Sequence, residues 1–154
     1  MHDINVDIKF LDPRWGSEWE VPKKATDGAA AIDLRAAIKE DLVINTRAQL
    51  ISTGLAIHIK NPGVAAIILP RSGKGHRQGL VLGNGTGLID SDYQGELFVS
   101  AVSRKNEPNV PVLIKPGERI AQLLFIPVLN PIFHTVTEFN QKSLRGEGGF
   151  GHTG

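Results

Sequence analysis

Apolar and polar residues alternate over Ile4, Val6, Ile8 and Phe10, and again over Leu55, Ile57 and Ile59. A period of two gathers the apolar set on one face, so both segments predict half-buried strands. Residues 64–69 (VAAIIL) and 123–128 (LLFIPV) are apolar almost without interruption. That pattern suits strands enclosed between two layers or lying at a subunit contact. Turn signals separate these runs: Asn61-Pro62-Gly63, Lys115-Pro116-Gly117, and glycine-rich stretches near 73, 84 and 95. Short strands so punctuated predict an all-β sandwich or barrel. No window of a dozen residues keeps a helical period without a proline or glycine, so at most one short helix is expected.

Composition narrows the picture. The 154 residues, 41% of them hydrophobic, suffice for one domain with one sizeable core. Seventeen basic residues against sixteen acidic ones give a net charge of +1, which argues against binding nucleic acid by bulk electrostatics. Without cysteine there is no disulfide framework, thiolate metal site or thiol nucleophile. No stretch is long enough to span a bilayer and the N-terminus lacks a basic start followed by an apolar run, so a cytoplasmic protein is expected. The last ten residues, RGEGGFGHTG, contain five glycines and are expected to form a mobile arm, 145–154, beyond one domain at 1–144.

Residues 83–97, GNGTGLIDSDYQGEL, are the densest in chemistry. Glycine lets bare backbone approach a flat ligand, and Asp90 or Asp92 can be aimed at what the ligand carries. If the turn centres near Ser91, Asn84 and Phe98 face one another across a hairpin. Their N–H and C=O groups could then match the acceptor, donor, acceptor edge of uracil. An ordinary hairpin with solvated acids fits the same residues. Pro70-Arg71-Ser72-Gly73-Lys74-Gly75 offers a guanidinium fork, a hydroxyl and open N–H groups to an anion, without the spacing of a P-loop. A structural turn with an exposed arginine is the alternative. Gln122 alternates with core side chains, which suits either the edge of a site or a cross-strand hydrogen bond. Arg145 and Phe150 could close over a nucleotide, ring on base and guanidinium on phosphate; composition alone favours a disordered terminus. The five histidines show no metal-ligand spacing, and Trp15 and Trp19 suit packing better than stacking on a ligand.

Taken in order, Ala30-Ala31-Ile32-Asp33-Leu34, PRSGKG, GNGTGLIDSDYQG, PGERIAQLLF and RGEGGFGHTG resemble the five motifs of the trimeric dUTPases, the bacterial branch above all. The resemblance spans nearly the whole chain. It implies a β-jelly-roll subunit, a homotrimer with active sites shared between subunits, and Mg²⁺-dependent hydrolysis of dUTP to dUMP and pyrophosphate. Such an activity limits uracil in DNA and supplies dUMP for thymidylate synthesis. By residue it implies that Asp90 holds the sugar 3′-OH and prepares the attacking water, and that Tyr93 packs under the deoxyribose. Asn84 and the strand near Phe98 read uracil, while Leu88 and Ile89 line the sugar pocket. Arg71, Ser72 and Gly73 grip phosphates from a neighbouring subunit, Gln122 meets the α-phosphate, and Arg145 and Phe150 close over the ligand from another chain. Asp33 reaches the metal through water, with no direct protein ligand. The chain departs from the family pattern at Asp27, Ala31, Ser103 and His152. A dCTP deaminase, or a catalytically silent nucleotide-binding trimer, remains the alternative at this point; the Asp-x-Asp-Tyr arrangement argues against the first and the intact set Asp90, Tyr93, Gln122 and Arg145 against the second.

Overall fold

The computed structural model describes residues 3–104, 111–141 and 143–147. Among the described residues ten strands carry the fold, and all their ladders are antiparallel: β1 (Asp7–Phe10), β2 (Ala31–Arg35), β3 (Leu42–Ile44), β4 (Gln49–His58), β5 (Val64–Pro70), β6 (Leu80–Leu82), β7 (Gly87–Ile89), β8 (Glu96–Ser103), β9 (Val112–Ile114) and β10 (Arg119–Pro127). They form two four-stranded sheets, ordered β1-β4-β8-β6 and β2-β10-β5-β7, with β3 and β9 as a separate pair. A five-residue π-helical turn, Lys74–Gln78, is the one helical element among the described residues. The all-β expectation and the limit of one short helix are met.

Alternation puts the core where the sheets meet. On β8, Leu97, Val99 and Ala101 are buried while Phe98 faces outward. These side chains join Ile51, Leu55 and Ile57 of β4, Leu34 of β2, Ala66 and Ile68 of β5 and Leu123 of β10 in one cluster. The two continuously apolar runs become β5 and β10, neighbours paired from Ala121↔Pro70 to Pro127↔Val64 in the interior of the second sheet. Trp15 and Trp19 pack edge to face with centroids 5.2 Å apart, and Trp15 Nε1–H donates to the Thr53 carbonyl at 2.8 Å. Their role is packing, as the sequence suggests.

Two expectations need correction. All four residues of β1 are exposed, so the alternation of Ile8 and Phe10 finds no buried face within one chain. β1 is an edge strand, paired only through β4, with no described strand on its outer edge. The second correction concerns the hairpin at 83–97, because β7 and β8 are not its two arms. β7 crosses to the other sheet and pairs with β5, whereas β8 pairs with β6 and β4. The apolar Leu88 and Ile89 find their partners in Ile67 and Ala66, which outcompetes a local hairpin.

Candidate active site

The strand that leads to Asn84 is joined to the strand that carries Phe98 by the β6–β8 ladder, not by a β7–β8 hairpin. The β6–β8 pairing runs from Leu80↔Ser103 to Leu82↔Ala101, and Gly83 N–H extends it by donating to the Ser100 carbonyl at 2.8 Å. Asn84 and Phe98 lie just beyond that rung. A Cβ at position 83 would stand 2.6 Å from the Ala48 Cβ and 2.9 Å from the Ser100 Oγ, so only glycine allows this approach. Past it the chain turns through β7 to Asp90, then through Tyr93 into β8. Tyr93 N–H donates to the Asp90 carbonyl at 3.2 Å, and Lys60 N–H donates to the Ser91 carbonyl at 3.1 Å. Lys60 is the one described non-glycine residue with positive φ, at 63°, a conformation costing about 1–2 kcal/mol. That unfavourable backbone angle accompanies the bond that ties down the Asp90 loop.

Asp90 is exposed and opens onto a cleft of about 620 Å³ with His58, Lys60 and Asp92. Leu88, Tyr93 and Phe98 are also exposed, at 64%, 43% and 43%. For apolar and aromatic side chains this is an unfinished surface.

The second cluster lies at the far end of β5. Arg71, Ser72 and Gly73 line a cleft of about 520 Å³ with Asp33, Arg77, Gln122 and residues 29–31. Strand register explains the grouping: Gln122 of β10 stands opposite Asp33 of β2 on one side and Leu69 of β5 on the other. Gln122 Nε2–H donates to the Pro70 carbonyl at 2.9 Å, fixing the backbone that leads into Arg71. Gly75 N–H closes the turn by donating to the Arg71 carbonyl at 2.8 Å, and Arg104 donates to the Gly75 carbonyl at 3.3 Å. Arg71 Nε lies 2.7 Å from Asp33 Oδ1, while Arg119 Nη1 donates to Asp33 Oδ2 at 3.1 Å. One carboxylate thus holds two guanidiniums in place.

Lys74 and Glu118 pair beside the same turn, linking it to the loop before β10. Burial pushes the Glu118 carboxyl up, but the Lys74 hydrogen bond, the Lys115 N–H and both lysine charges outweigh it and hold the group below its ordinary value. The structure adds Arg77, Arg119, Lys74 and Glu118 to the residues picked from the sequence. Arg119 and Glu118 lie inside the PGERIAQLLF motif, and their adjacency to Gly117 is the available signal.

Within the chain the two clusters do not merge. Asp90 follows Ile89, which pairs with Ala66, whereas Arg71 follows Pro70 at the other end of β5. Arg71 lies five positions beyond Ala66, roughly 16 Å along a strand. Ala31 opens β2 opposite Leu124, where its Cβ is accommodated, and Ser103 is buried at the end of β8. Arg145 is exposed at the end of the described chain; Phe150 and His152 lie outside the described residues.

The model of the dUTPase family matches residues 17–154. This chain belongs to the dUTPase family. It is 55% identical over 153 residues to the deoxyuridine 5′-triphosphate nucleotidohydrolase of Hydrogenovibrio crunogenus, covering 98% of this chain and 97% of that one. It is 56% identical over 155 residues to that of Pseudomonas putida W619, covering 100% and 99%. Among solved structures, the Staphylococcus bacteriophage 80alpha dUTPase with dUpNHpp superimposes with a TM-score of 0.75 at 27% identity, covering 97% of this chain and 98% of that one. A point mutant of the 80alpha phage enzyme gives a TM-score of 0.78 at 26% identity, with 97% and 98% covered. Among the described residues no helix is long and apolar enough to cross a membrane.

Proposed function

We propose that this dUTPase, whose reaction is hydrolysis of dUTP to dUMP and pyrophosphate, works through a site composed of Asp90 and the uracil-reading strands of one copy and the Arg71 turn of another. The observation that carries this reading is the separation just described: carboxylate and guanidinium stand at opposite ends of β5 and open onto different clefts. A second copy brings its Arg71 turn to the Asp90 loop of the first. Exposed Leu129, Ile132, Phe133 and Phe139, at 80–89%, supply apolar surface for such an assembly. A homotrimer is the assembly we infer, with Arg145 and Phe150 closing over the ligand.

Asp90 accepts a proton from water as its oxygen attacks the α-phosphorus; the bond to the α,β-bridging oxygen breaks in line and pyrophosphate leaves. Arg71 and Gln122 meet the phosphates, and Ser72 and Gly73 offer hydroxyl and N–H to their oxygens. Asn84 and the main chain near Phe98 pair with uracil, and Leu88, Ile89 and Tyr93 line the sugar. A cytosine amino group would oppose an N–H donor there, costing about 1–3 kcal/mol. Among the described residues no three carboxylates or histidines gather to hold a metal, and Asp33 is the single carboxylate in the arginine-lined cleft. Asp33 would hold a Mg²⁺ ion through water, and the ion would supply charge neutralisation at the leaving group.

Pyrophosphate release from dUTP, compared with dCTP, dTTP and UTP, tests the substrate assignment. Asp90→Asn tests the base: dUTP binding persists by calorimetry while turnover falls by about 10²–10⁴. Near-normal turnover would refute the role of Asp90.

A further inference from the structure

The Tyr93 ring is fastened by contacts that involve no ligand. Its hydroxyl donates to the Glu96 carbonyl at 2.9 Å, three residues on. To reach it the ring folds across the bare backbone at Gly95, where a Cβ would stand 2.4 Å from the Tyr93 oxygen and 2.7 Å from the adjacent ring carbon. The position of that carbonyl is itself set from another strand. The Glu96 carboxylate accepts from Ser52 Oγ and, at 3.0 Å, from Gly54 N–H. Both donors belong to an irregularity in β4, where pairing with β8 jumps from Ser52↔Phe98 to Ala56↔Glu96. Residues 53–55 therefore oppose Leu97 alone, and Glu96 is the first residue of β8 beyond the bulge. Bulges re-aim side chains and end pairing at defined points. Here the bulge is read out by a carboxylate whose own carbonyl holds the aromatic ring.

We propose that Glu96 is a positioning residue for sugar selectivity, fixing Tyr93 as the wall that a ribose 2′-OH meets. The inference rests on the proposed function, in which Tyr93 packs under the deoxyribose. Glu96 touches neither sugar nor phosphate; it acts through its carbonyl and the bulge. Loss of its carboxylate leaves Gly54 N–H and Ser52 Oγ without that acceptor, lets the start of β8 shift, and frees the ring to admit the extra hydroxyl.

The readout is the ratio of kcat/KM for dUTP to that for UTP. Glu96→Ala is expected to lower this ratio about three- to tenfold, the worth of one or two hydrogen bonds, mainly through KM. Glu96→Gln keeps an acceptor oxygen and is expected to restore the ratio to within about twofold of the original. Tyr93→Phe removes the hydroxyl alone and should reproduce the loss, with no further loss when combined with Glu96→Ala. A folded Glu96→Ala protein with its original ratio overturns the proposal. Should that variant not fold, Tyr93→Phe decides, and an unchanged ratio there overturns it equally. Tyr93→Ala separates the two levels. If it leaves the ratio unchanged, Tyr93 is not the sugar wall and the underlying reading fails. If it collapses the ratio while Tyr93→Phe and Glu96→Ala do not, only the role of Glu96 fails.

Discussion

Arg71 and Asp33 meet at 2.7 Å, from a turn after β5 and from the middle of β2, and this contact orders the arginine-lined cleft. Both side chains are about 30% exposed, so the pair itself adds little to stability. Its consequence is geometric. The guanidinium, otherwise a flexible group, is held toward the cleft, and Arg119 keeps the Asp33 charge matched if Arg71 turns to phosphate.

Replacing Arg71 by lysine tests that geometry. Lysine keeps the charge but loses the planar fork and the Nε contact with Asp33. Steady-state pyrophosphate release is expected to show kcat/KM lowered about 10- to 100-fold, a loss of one charge-assisted bidentate contact. Activity close to that of the parent would mean that charge alone suffices there.

The Lys74–Glu118 pair ties stability to pH. The folded Glu118 carboxyl lies below its ordinary value of 4.5, so its stabilisation is complete above that value and is lost as pH falls through the folded one. Glu118→Gln should therefore cost about 1 kcal/mol at neutral pH, discounted for partial exposure. The difference should shrink between neutral pH and a pH below the folded value. Urea unfolding of both proteins at the two pH values checks this; a constant difference would assign the effect to packing.

Much of this arrangement is legible in the chain, and the failures have physical causes. β4, β5 and β10 follow from period and apolar content because their side chains are satisfied within one copy. β1 misleads because Ile8 and Phe10 stay about 40% exposed even with Phe10 stacked on Trp15, and periodicity cannot say what covers the rest. The hairpin at 83–97 misleads because GLI carries strand propensity but no label for its partner; long-range pairing with β5 wins. The turn after β5 is legible as Arg-Ser-Gly following a strand, whereas Asp33 and Gln122 come together only through the register of β2 on β10. Lys74 with Glu118, 44 positions apart, is a contact that no local pattern announces.

Removal of residues 145–154 bears on the arm. Residues 143–147 are exposed and carry no strand or helix, and the core cluster draws nothing from them. Truncation before Arg145 should shift Tm by less than about 2 °C while lowering kcat/KM for dUTP by at least roughly tenfold, through lost closure. Differential scanning calorimetry beside the activity assay distinguishes the outcomes; a large fall in Tm would make the arm part of the folded body.

Sharing of the site between copies has a sharper test than size measurement. Asp90→Asn and Arg71→Ala each disable every site in a homogeneous assembly, whether or not sites are shared. Unfolded together in equal amounts and refolded, they form mixed trimers in the homotrimeric assembly proposed above. If Asp90 and Arg71 of one site come from different chains, each mixed trimer regains one intact site in three, because a chain with native Asp90 then faces one with native Arg71 once around the ring. Random assembly makes three trimers in four mixed, so roughly a quarter of parental activity should return. If both residues serve their own chain's site, no mixture contains an intact site, and activity stays at the level of the separate variants. Light scattering on the refolded mixture establishes that trimers formed, so an inactive mixture of trimers would place Asp90 and Arg71 in one chain's site despite their separation along β5.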